Sequence, residues 1–225
     1  MKPRICVSLL PKNFRETYSL IERAEKLKAD FIELRLDHLE PKINLNELAN
    51  LGNIPKIAAI LSPPRKGDFA LSKLDQHKFL IKAAKSGFQY VDTALDSPYL
   101  KETIKKLKSL NCKSIVSFHD FNRPLPLIDL QKILKKEIST GAEVCKIVTT
   151  AKKIQDNLDL LNFISKKSSE TNLVSFCMGK LGRVSRLLSP YYGSFFTFAS
   201  LEQGYETAEG QISIHDMKQV YKLLE

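Results

Sequence analysis

The chain has 225 residues, of which 43% are hydrophobic and 27% are charged, and its formal net charge at pH 7 is +10. This length suits one large α/β domain, and no apolar run reaches the roughly 18 residues that a membrane-spanning helix requires. The apolar stretch near the start is too short for a signal peptide, so we expect one cytoplasmic domain over residues 1–225 and no membrane partner.

The basic charge raises the question of a nucleic-acid partner, because clustered lysine and arginine side chains neutralise phosphates. Most of the lysines, however, lie on predicted helix faces beside apolar residues, as in KKLKSLNCK and QKILKKE, and no aromatic residues are interleaved with them. We therefore expect a solvated basic surface and no nucleic-acid partner. A basic nucleic-acid-binding module is the non-enzyme alternative.

The four cysteines are scattered along the chain and form no C-x-x-C pair. Three of them lie in apolar, strand-like runs, where a thiol behaves as a small hydrophobic group. We expect buried, reduced thiols and no metal site at Cys6, Cys112, Cys145 and Cys177.

Short apolar runs alternate with longer segments of helical periodicity about eight times along the chain. The predicted strands lie at 5–10, 31–37, 56–61, 90–95, 113–120, 144–150, 172–179 and 195–200. The predicted helices lie at 15–28, 44–51, 71–86, 98–109, 125–139, 152–167, 183–189 and 213–224. Eight βα units predict a single (β/α)8 TIM barrel, with functional groups at the C-terminal ends of the strands. An open doubly wound sheet is the alternative, although no G-x-G-x-x-G follows the first strand.

The second predicted strand, FIELRLD, carries a charged residue at every second position. Strand periodicity places Glu33, Arg35 and Asp37 on one face and three apolar residues on the other. The apolar face must contact the helices, so the charged face points into the barrel, where isolated ions are unfavourable. Arg35 therefore either forms an internal ion pair with Glu33 or Asp37, or the charges bind a ligand.

The fifth predicted strand, KSIVSFHD, places His119 near its C-terminal end, on the face that it shares with Ile115 and Ser117. A lone histidine in a strand is more often structural than catalytic. A neighbouring inward carboxylate such as Glu33 could nevertheless fix its tautomer and tune its pKa for proton transfer near neutral pH.

The sixth predicted strand, VCKIVTT, places Lys146 among apolar residues. Burial disfavours the charged form of an amine, so we expect a lowered pKa and a fraction of neutral Lys146. A neutral amine attacks a ketone or aldehyde to give an iminium ion, which acidifies the adjacent carbon. The alternatives are that Lys146 extends to solvent or forms a structural ion pair with Glu33.

Polar segments follow the last two predicted strands. MGKLGRVSR ends in Arg186, whose guanidinium suits a bidentate contact with a carboxylate. GYETAEGQIS holds Thr207 and Gln211 in a loop that could fold over the mouth of the barrel as a lid. Together with Lys146, these segments predict a pocket for a polyhydroxylated keto acid.

The motifs resemble those of the type I 3-dehydroquinate dehydratases, the Schiff-base enzymes of the shikimate pathway. The resemblance covers nearly the whole chain and rests on E-L-R-x-D at 33–37, S-F-H-D at 117–120, K-I-V at 146–148, M-G-x-x-G-x-x-S-R at 178–186, G-S-x-x-T-F-A at 193–199 and G-Q at 210–211. It implies dehydration of a small-molecule substrate, 3-dehydroquinate, to 3-dehydroshikimate with no metal and no dissociable cofactor. It also implies a (β/α)8 barrel that is commonly a homodimer. Another Schiff-base barrel lyase, such as a class I aldolase, is the enzyme alternative.

The resemblance implies a role for each matching residue. Lys146 resembles the lysine that forms the Schiff base, and His119 resembles the general acid/base. Glu33 matches the carboxylate that orients this histidine. Thr207 stands where the family usually has serine, and the change keeps the hydroxyl. The substrate-binding positions are matched by Arg35, Arg186, Thr207 and Gln211.

The segment after the third predicted strand departs from the family pattern. There the family reads T-x-R followed four residues on by E-G-G, whereas this chain reads AAILSPPRKGDF. An ungapped alignment places Leu61 at the arginine position and Arg65 at the glutamate position. Either Arg65 and Asp68 supply the pair from a rearranged loop, with Arg65 binding substrate, or the contact is missing. Glu209, where the family often has proline, is expected to make the lid more mobile.

Overall fold

The computed structural model describes residues 2–40, 43–61 and 71–224, and within these residues eight strands alternate with eight α-helices. The strands are β1 (Ile5–Leu9), β2 (Phe31–Arg35), β3 (Lys56–Ala59), β4 (Tyr90–Ala94), β5 (Lys113–His119), β6 (Val144–Thr150), β7 (Asn172–Met178) and β8 (Thr197–Ala199). The helices are α1 (Phe14–Lys26), α2 (Leu45–Ala49), α3 (Lys73–Lys85), α4 (Leu100–Ser109), α5 (Leu127–Ser139), α6 (Gln155–Lys167), α7 (Arg183–Leu188) and α8 (Ile214–Leu224). Short 3-10 helices occupy Leu36–His38, Lys180–Gly182 and Ser189–Tyr192.

The strands pair in parallel and form a nearly closed barrel, which confirms the predicted (β/α)8 fold. Their order around the barrel is β8-β1-β2-β3-β4-β5-β6-β7. Among the described residues no ladder joins β7 to β8, and a hydrogen bond of 2.7 Å from the Phe195 amide to the Leu173 carbonyl bridges the gap. The Ser194 hydroxyl lies in the same gap, where it accepts from the Ser175 amide and donates to the Leu173 carbonyl.

Alternation along the strands separates an outer core from an inner one. Outward residues such as Ile147 and Leu173 pack against residues of α5 and α6. Inward aromatic side chains fill the end of the barrel at which the strands begin: Phe31 lies 5.7 Å from Tyr90 and 4.9 Å from Phe196 between ring centroids. Inward polar residues further along the strands therefore have an apolar layer beneath them and open only toward the C-terminal face.

The predicted elements agree with the observed ones to within three residues at every end, and the differences have local causes. The strand β2 ends at Arg35 because the next three residues form a 3-10 helix, so Asp37 does not continue the strand face. The helix α6 begins three residues late because the Asp156 carboxylate accepts hydrogen bonds from the amides of Lys152 and Lys153. No helix in the described ranges is long and apolar enough to cross a membrane.

Helix α5 places a carboxyl group against the barrel wall. Glu137 is fully buried on the same helix face as Leu130 and Leu134, and among the described residues neither of its carboxyl oxygens has a hydrogen-bond partner. Burial, and then the negative charge of Asp92, raise the pKa of Glu137 to about 10. The folded protein therefore favours the neutral, protonated carboxyl group at this position.

Replacing this group tests its effect on stability. The folded state retains the Glu137 proton up to about pH 10, whereas the unfolded chain releases it near the ordinary glutamate value of 4.5. The contribution of the group to stability is therefore complete below about pH 4.5 and is lost as the pH rises toward 10. We expect the unfolding free energy of Glu137→Gln, measured relative to that of the wild type, to increase as the pH rises. The increase should be at most about 1.4 kcal/mol per pH unit. Urea unfolding between pH 5 and pH 9 measures the difference.

The matched control is Glu40→Gln, which removes an exposed carboxylate. It should leave the pH dependence of the unfolding free energy close to that of the wild type, because the buried Glu137 carboxyl group is intact in this variant. Parallel curves for the wild type and Glu137→Gln would contradict the assignment of a raised pKa to Glu137.

Candidate active site

The C-terminal ends of the strands surround a cavity of about 630 Å³. Seven of the eight side chains that the sequence predicts for the site line this cavity: Glu33, Arg35, His119, Lys146, Arg186, Thr207 and Gln211. The eighth, Arg65, and its neighbour Asp68 lie outside the described residues. Leu61, the last described residue before that segment, also lines the cavity.

The Lys146 ammonium group lies at the floor of the cavity between two carboxylates. Its Nζ atom is 2.8 Å from Oδ2 of Asp92 and 3.3 Å from Oε2 of Glu33. The same Nζ lies 4.4 Å above the ring of Phe198, and only 5% of Lys146 is exposed. The lysine therefore does not extend to solvent, and its charge is balanced inside the barrel.

Two hydroxyl groups hold the carboxylates in place. Ser117 donates to Oδ1 of Asp92 at 2.6 Å, and Ser8 donates to Oε1 of Glu33 at 2.6 Å. Each carboxylate thus uses one oxygen for a serine and the other for Lys146. Asp92 is not among the residues that the sequence predicts for the site, although an acidic residue within the apolar run YVDTA is the same signal that identified Lys146.

The predicted lowering of the Lys146 pKa is wrong. Burial lowers the pKa of this amine, but the negative charges of Asp92 and Glu33 and the hydrogen bond to Asp92 outweigh burial. The pKa of Lys146 is raised above the ordinary lysine value, and the side chain is an ammonium ion at neutral pH. A neutral amine requires transfer of a proton to a neighbouring group.

His119 ends β5 with its ring stacked on Phe121, at 5.7 Å between ring centroids. Burial, and then the positive charge of Lys146, lower the pKa of His119 to about 3, so the imidazole is neutral at pH 7. The His119 backbone pairs with β6, whereas its imidazole makes no hydrogen bond with any other described residue. Glu33, predicted to orient this histidine, instead binds Ser8 and Lys146.

Arg35 forms an internal ion pair with Asp37, one of the two partners that the sequence predicts for it. Its Nε and Nη2 atoms donate to the two Asp37 oxygens at 2.9 and 2.5 Å. Asp37 lies in the 3-10 helix after β2, close to the end of the strand that carries Arg35. Arg35 lines the cavity with its charge already paired.

Arg186, on α7, presents an unpaired charge to the cavity. Only 1% of this residue is exposed, and among the described residues its Nε and Nη2 atoms have no hydrogen-bond partner. The guanidinium carbon lies 4.2 Å from the ring centroid of Phe176, and burial lowers the pKa of Arg186 to about 9. A buried guanidinium with free donors is a ready site for a carboxylate.

Close backbone packing fixes the position of α7. The Ser185 hydroxyl accepts from the Cys177 amide at 2.9 Å and donates to the Gly182 carbonyl at 3.1 Å. A side chain at Gly182 would lie 2.4 Å from the Cys177 carbonyl oxygen, so only glycine allows this approach. Arg186 follows one residue later on this anchored turn.

The loop between β8 and α8, here called the lid loop and comprising residues 201–211, covers one side of the cavity. Gln211 accepts from the Thr207 amide at 2.6 Å and donates to the Thr207 hydroxyl at 3.0 Å. Gly210 adopts a φ of +82°, and a side chain there would lie 2.1 Å from the Gly179 carbonyl oxygen. The backbone of the lid loop is thus held directly against the residue that follows β7.

The site combines a lysine between two carboxylates, a neutral imidazole and an unpaired guanidinium around one cavity. This set can bind an anionic carbonyl compound, form an imine with it and transfer protons beside the imine. In the described ranges no group of three or more histidine, cysteine, aspartate or glutamate side chains is arranged to hold a metal ion.

Comparison with known proteins identifies relatives along nearly the whole chain. A model of the type I 3-dehydroquinase family matches residues 5–225. A 3-dehydroquinate dehydratase from Dehalococcoides mccartyi is 35% identical over 206 residues, which cover 90% of this chain and 91% of that protein. One from Coxiella burnetii is 31% identical over 223 residues, covering 98% and 93%. The crystal structure of 3-dehydroquinate dehydratase from Geobacillus kaustophilus HTA426 matches with a TM-score of 0.90 at 25% identity, covering 100% and 91%.

The variant Asp92→Asn tests the electrostatic control of Lys146. Removal of the nearer negative charge should lower the pKa of Lys146 by about 1 to 3 pH units. The pH dependence of acetylation of Lys146 by acetic anhydride, followed by peptide mass mapping, measures this pKa without a substrate. Asp96→Asn, at an exposed carboxylate just beyond the same strand, should leave the titration unchanged. Equal titration curves for both variants would show that Asp92 does not set the pKa of Lys146.

Proposed function

The chain belongs to the type I 3-dehydroquinase family, and on this basis we propose that Lys146 forms a Schiff base with 3-dehydroquinate. The protein is a 3-dehydroquinate dehydratase, a hydro-lyase that converts 3-dehydroquinate to 3-dehydroshikimate. The observation that carries the proposed mechanism is the burial of the Lys146 ammonium between Asp92 and Glu33 at the floor of the cavity.

The first proposed step is release of the Lys146 proton. Asp92, at 2.8 Å, is the nearer acceptor, and transfer of the proton converts an ammonium and a carboxylate into a neutral amine and a neutral acid. Substrate binding excludes water from the floor of the cavity, and a neutral pair tolerates this loss better than an ion pair does. The amine then attacks the ketone carbon, and Asp92 returns its proton to the hydroxyl group of the adduct, which leaves as water and gives the iminium ion.

The iminium ion carries a permanent positive charge at the position of the Lys146 nitrogen. Glu33 and Asp92, which stabilise the ammonium in the free enzyme, stabilise this cation in the same way. Neutral His119 removes a proton from the carbon next to the iminium, and the electron pair of that bond forms an enamine. A neutral imidazole is the form that this step requires, and the pKa of His119 near 3 supplies it at pH 7.

Elimination returns the proton to the leaving group. The enamine electrons expel the hydroxyl group from the next carbon as His119, now protonated, donates its proton, so the group leaves as water. Hydrolysis of the conjugated iminium ion releases 3-dehydroshikimate and restores Lys146. The imidazole therefore acts first as the base and then as the acid, and no proton need cross the apolar layer below the site.

Substrate recognition is assigned to residues at the cavity mouth. Arg186 binds the substrate carboxylate, because its unpaired donors and buried charge require an anion. Thr207 and Gln211 approach from the lid loop. Arg35, held by Asp37, supplies a fixed guanidinium at the end of β2. Arg65 is retained as a further substrate-binding residue on the basis of the sequence pattern alone.

We further propose that the whole chain, residues 1–225, is one catalytic domain of a cytoplasmic homodimer. Four buried, free thiols suit a reducing compartment. Exposed apolar side chains on α5, on α6 and at the N-cap of α6, including Leu127, Ile128, Ile154 and Leu158, suit a contact between two copies. Sedimentation equilibrium that returned the mass of one 25.5 kDa chain would contradict the dimer.

Trapping with borohydride tests the nucleophile. Incubation of the wild type with 3-dehydroquinate and borohydride should add the mass of one reduced ligand, and peptide mapping should locate it on Lys146. Lys146→Ala should form no adduct, and its turnover should fall to the background rate. The product of the wild type should be 3-dehydroshikimate, since an aldolase would cleave a carbon-carbon bond instead.

Lys56 is the internal control for trapping, because it is also a buried lysine in a strand, with 1% exposure. It lies outside the cavity lining and should remain unmodified. Dehydration by the wild type without any adduct, or full turnover by Lys146→Ala, would refute the Schiff base. The adduct in the wild type decides the question even if Lys146→Ala does not fold.

A second variant tests the carboxylate site. Arg186→Gln should raise KM at least about thirtyfold, because loss of a buried charge partner costs about 2 kcal/mol or more. The fold should tolerate this change, since it removes an unpaired buried charge. Arg183→Gln, at an exposed arginine of the same helix, should leave KM within twofold of the wild type. An unchanged KM in Arg186→Gln would contradict its role in substrate binding.

A further inference from the structure

The lid loop makes a second set of contacts on the outside of the barrel, away from the cavity. Arg23, on α1, donates from Nη2 to Oε2 of Glu202 at 2.6 Å. Its Nη1 atom lies 3.4 Å from the Tyr205 hydroxyl, and its guanidinium carbon lies 4.9 Å from the centroid of the Tyr205 ring. One guanidinium thus contacts two residues of the lid loop by an ion pair, a hydrogen bond and a cation-π contact.

The backbone of the loop connects these outer contacts to the cavity. Its two ends are held together where the Ser200 amide donates to the Ile212 carbonyl at 3.0 Å. Between them, Gly204 adopts a φ of +88°, and its amide is bound by the Glu206 carboxylate at 3.0 Å. Glu202 precedes this turn and Tyr205 lies in it. Thr207 follows Tyr205 by two residues.

The inner half of the loop is held against the residue that follows β7. Its backbone accepts a hydrogen bond of 3.2 Å from the Gly179 amide at the Glu209 carbonyl, and Gly210 packs closely on Gly179. Thr207 and Gln211 bond to each other. Because the chain runs directly from the outer half into this segment, the position of the two side chains over the cavity also depends on how the outer half is fixed.

We infer that Arg23 is a positioning residue for the lid loop, which it fixes to α1 through Glu202 and Tyr205 so that Thr207 and Gln211 lie over the cavity. Arg23 does not line the cavity, so it acts only through the loop. The effect on substrate binding rests on the proposed function of the site. The effect on the loop does not, because it can be measured without substrate.

Two measurements on Arg23→Ala test this inference. Amide hydrogen exchange in the peptide that contains Thr207 and Gln211 should accelerate about threefold to tenfold, as expected from the loss of an exposed ion pair and a cation-π contact. KM for 3-dehydroquinate should rise by a similar factor, while kcat should change less than twofold, because no group at the reacting carbon is altered. The hydrogen exchange of α5 should be unchanged.

Lys26→Ala is the matched control. Lys26 lies on the same helix, pairs with Glu22 at 2.9 Å and is exposed, so the variant removes one positive charge and one ion pair without touching the lid loop. It should reproduce wild-type exchange and wild-type KM. Tyr205→Phe, which keeps the ring and removes the hydroxyl, should give an intermediate effect on both.

The outcomes separate this inference from the proposed function. Wild-type exchange of the lid peptide in Arg23→Ala, or an equal acceleration in Lys26→Ala, would overturn the positioning role. Faster exchange of the lid peptide with an unchanged KM would overturn the link between the Arg23 contacts and substrate binding. Failure of the wild type to form the Lys146 adduct would count against the proposed function, whereas the exchange results would still decide the role of Arg23.

Discussion

The charge balance around Lys146 is the constraint on which the rest of the site depends. A TIM barrel fills its interior with layers of four side chains from alternate strands. Here one layer is supplied by the even-numbered strands, with Glu33 from β2, Asp92 from β4, Lys146 from β6 and Phe198 from β8. Two acids and an aromatic ring surround one base, so the cation is stabilised on three sides.

The neighbouring layers adapt to this arrangement. Serines on the odd-numbered strands β1 and β5 donate to the two carboxylates, so every carboxylate oxygen in the central layer has a partner. Below, the aromatic layer around Phe31 keeps water out and preserves the strength of these interactions. Above, the positive charge of Lys146 helps to keep His119 neutral. One ion cluster thus influences both the proposed nucleophile, Lys146, and the proposed base, His119.

The sequence predicts the barrel and most of the site because strand alternation and strand ends are local features. It could not predict the direction of the Lys146 pKa, which depends on carboxylates 54 and 113 residues away in the chain. The sequence offered both His119 and Lys146 as partners of Glu33, and only the folded structure selects Lys146. Asp92 could have been predicted, because a charge within an apolar strand was already the criterion for Lys146. The contacts of Arg23 with the lid loop join two surface segments, so they leave no periodic pattern in the sequence.

The unpaired guanidinium of Arg186 makes the unfolding free energy of the protein depend on bound anions. In the free enzyme its burial lowers the stability of the native state, and a bound anion removes this penalty. Any ligand that binds only the folded protein also raises its unfolding free energy in proportion to the logarithm of the ligand concentration. On the proposed role of Arg186, the melting temperature of this protein should rise when a small carboxylate binds, and thermal-shift screening can rank such ligands without a catalytic assay.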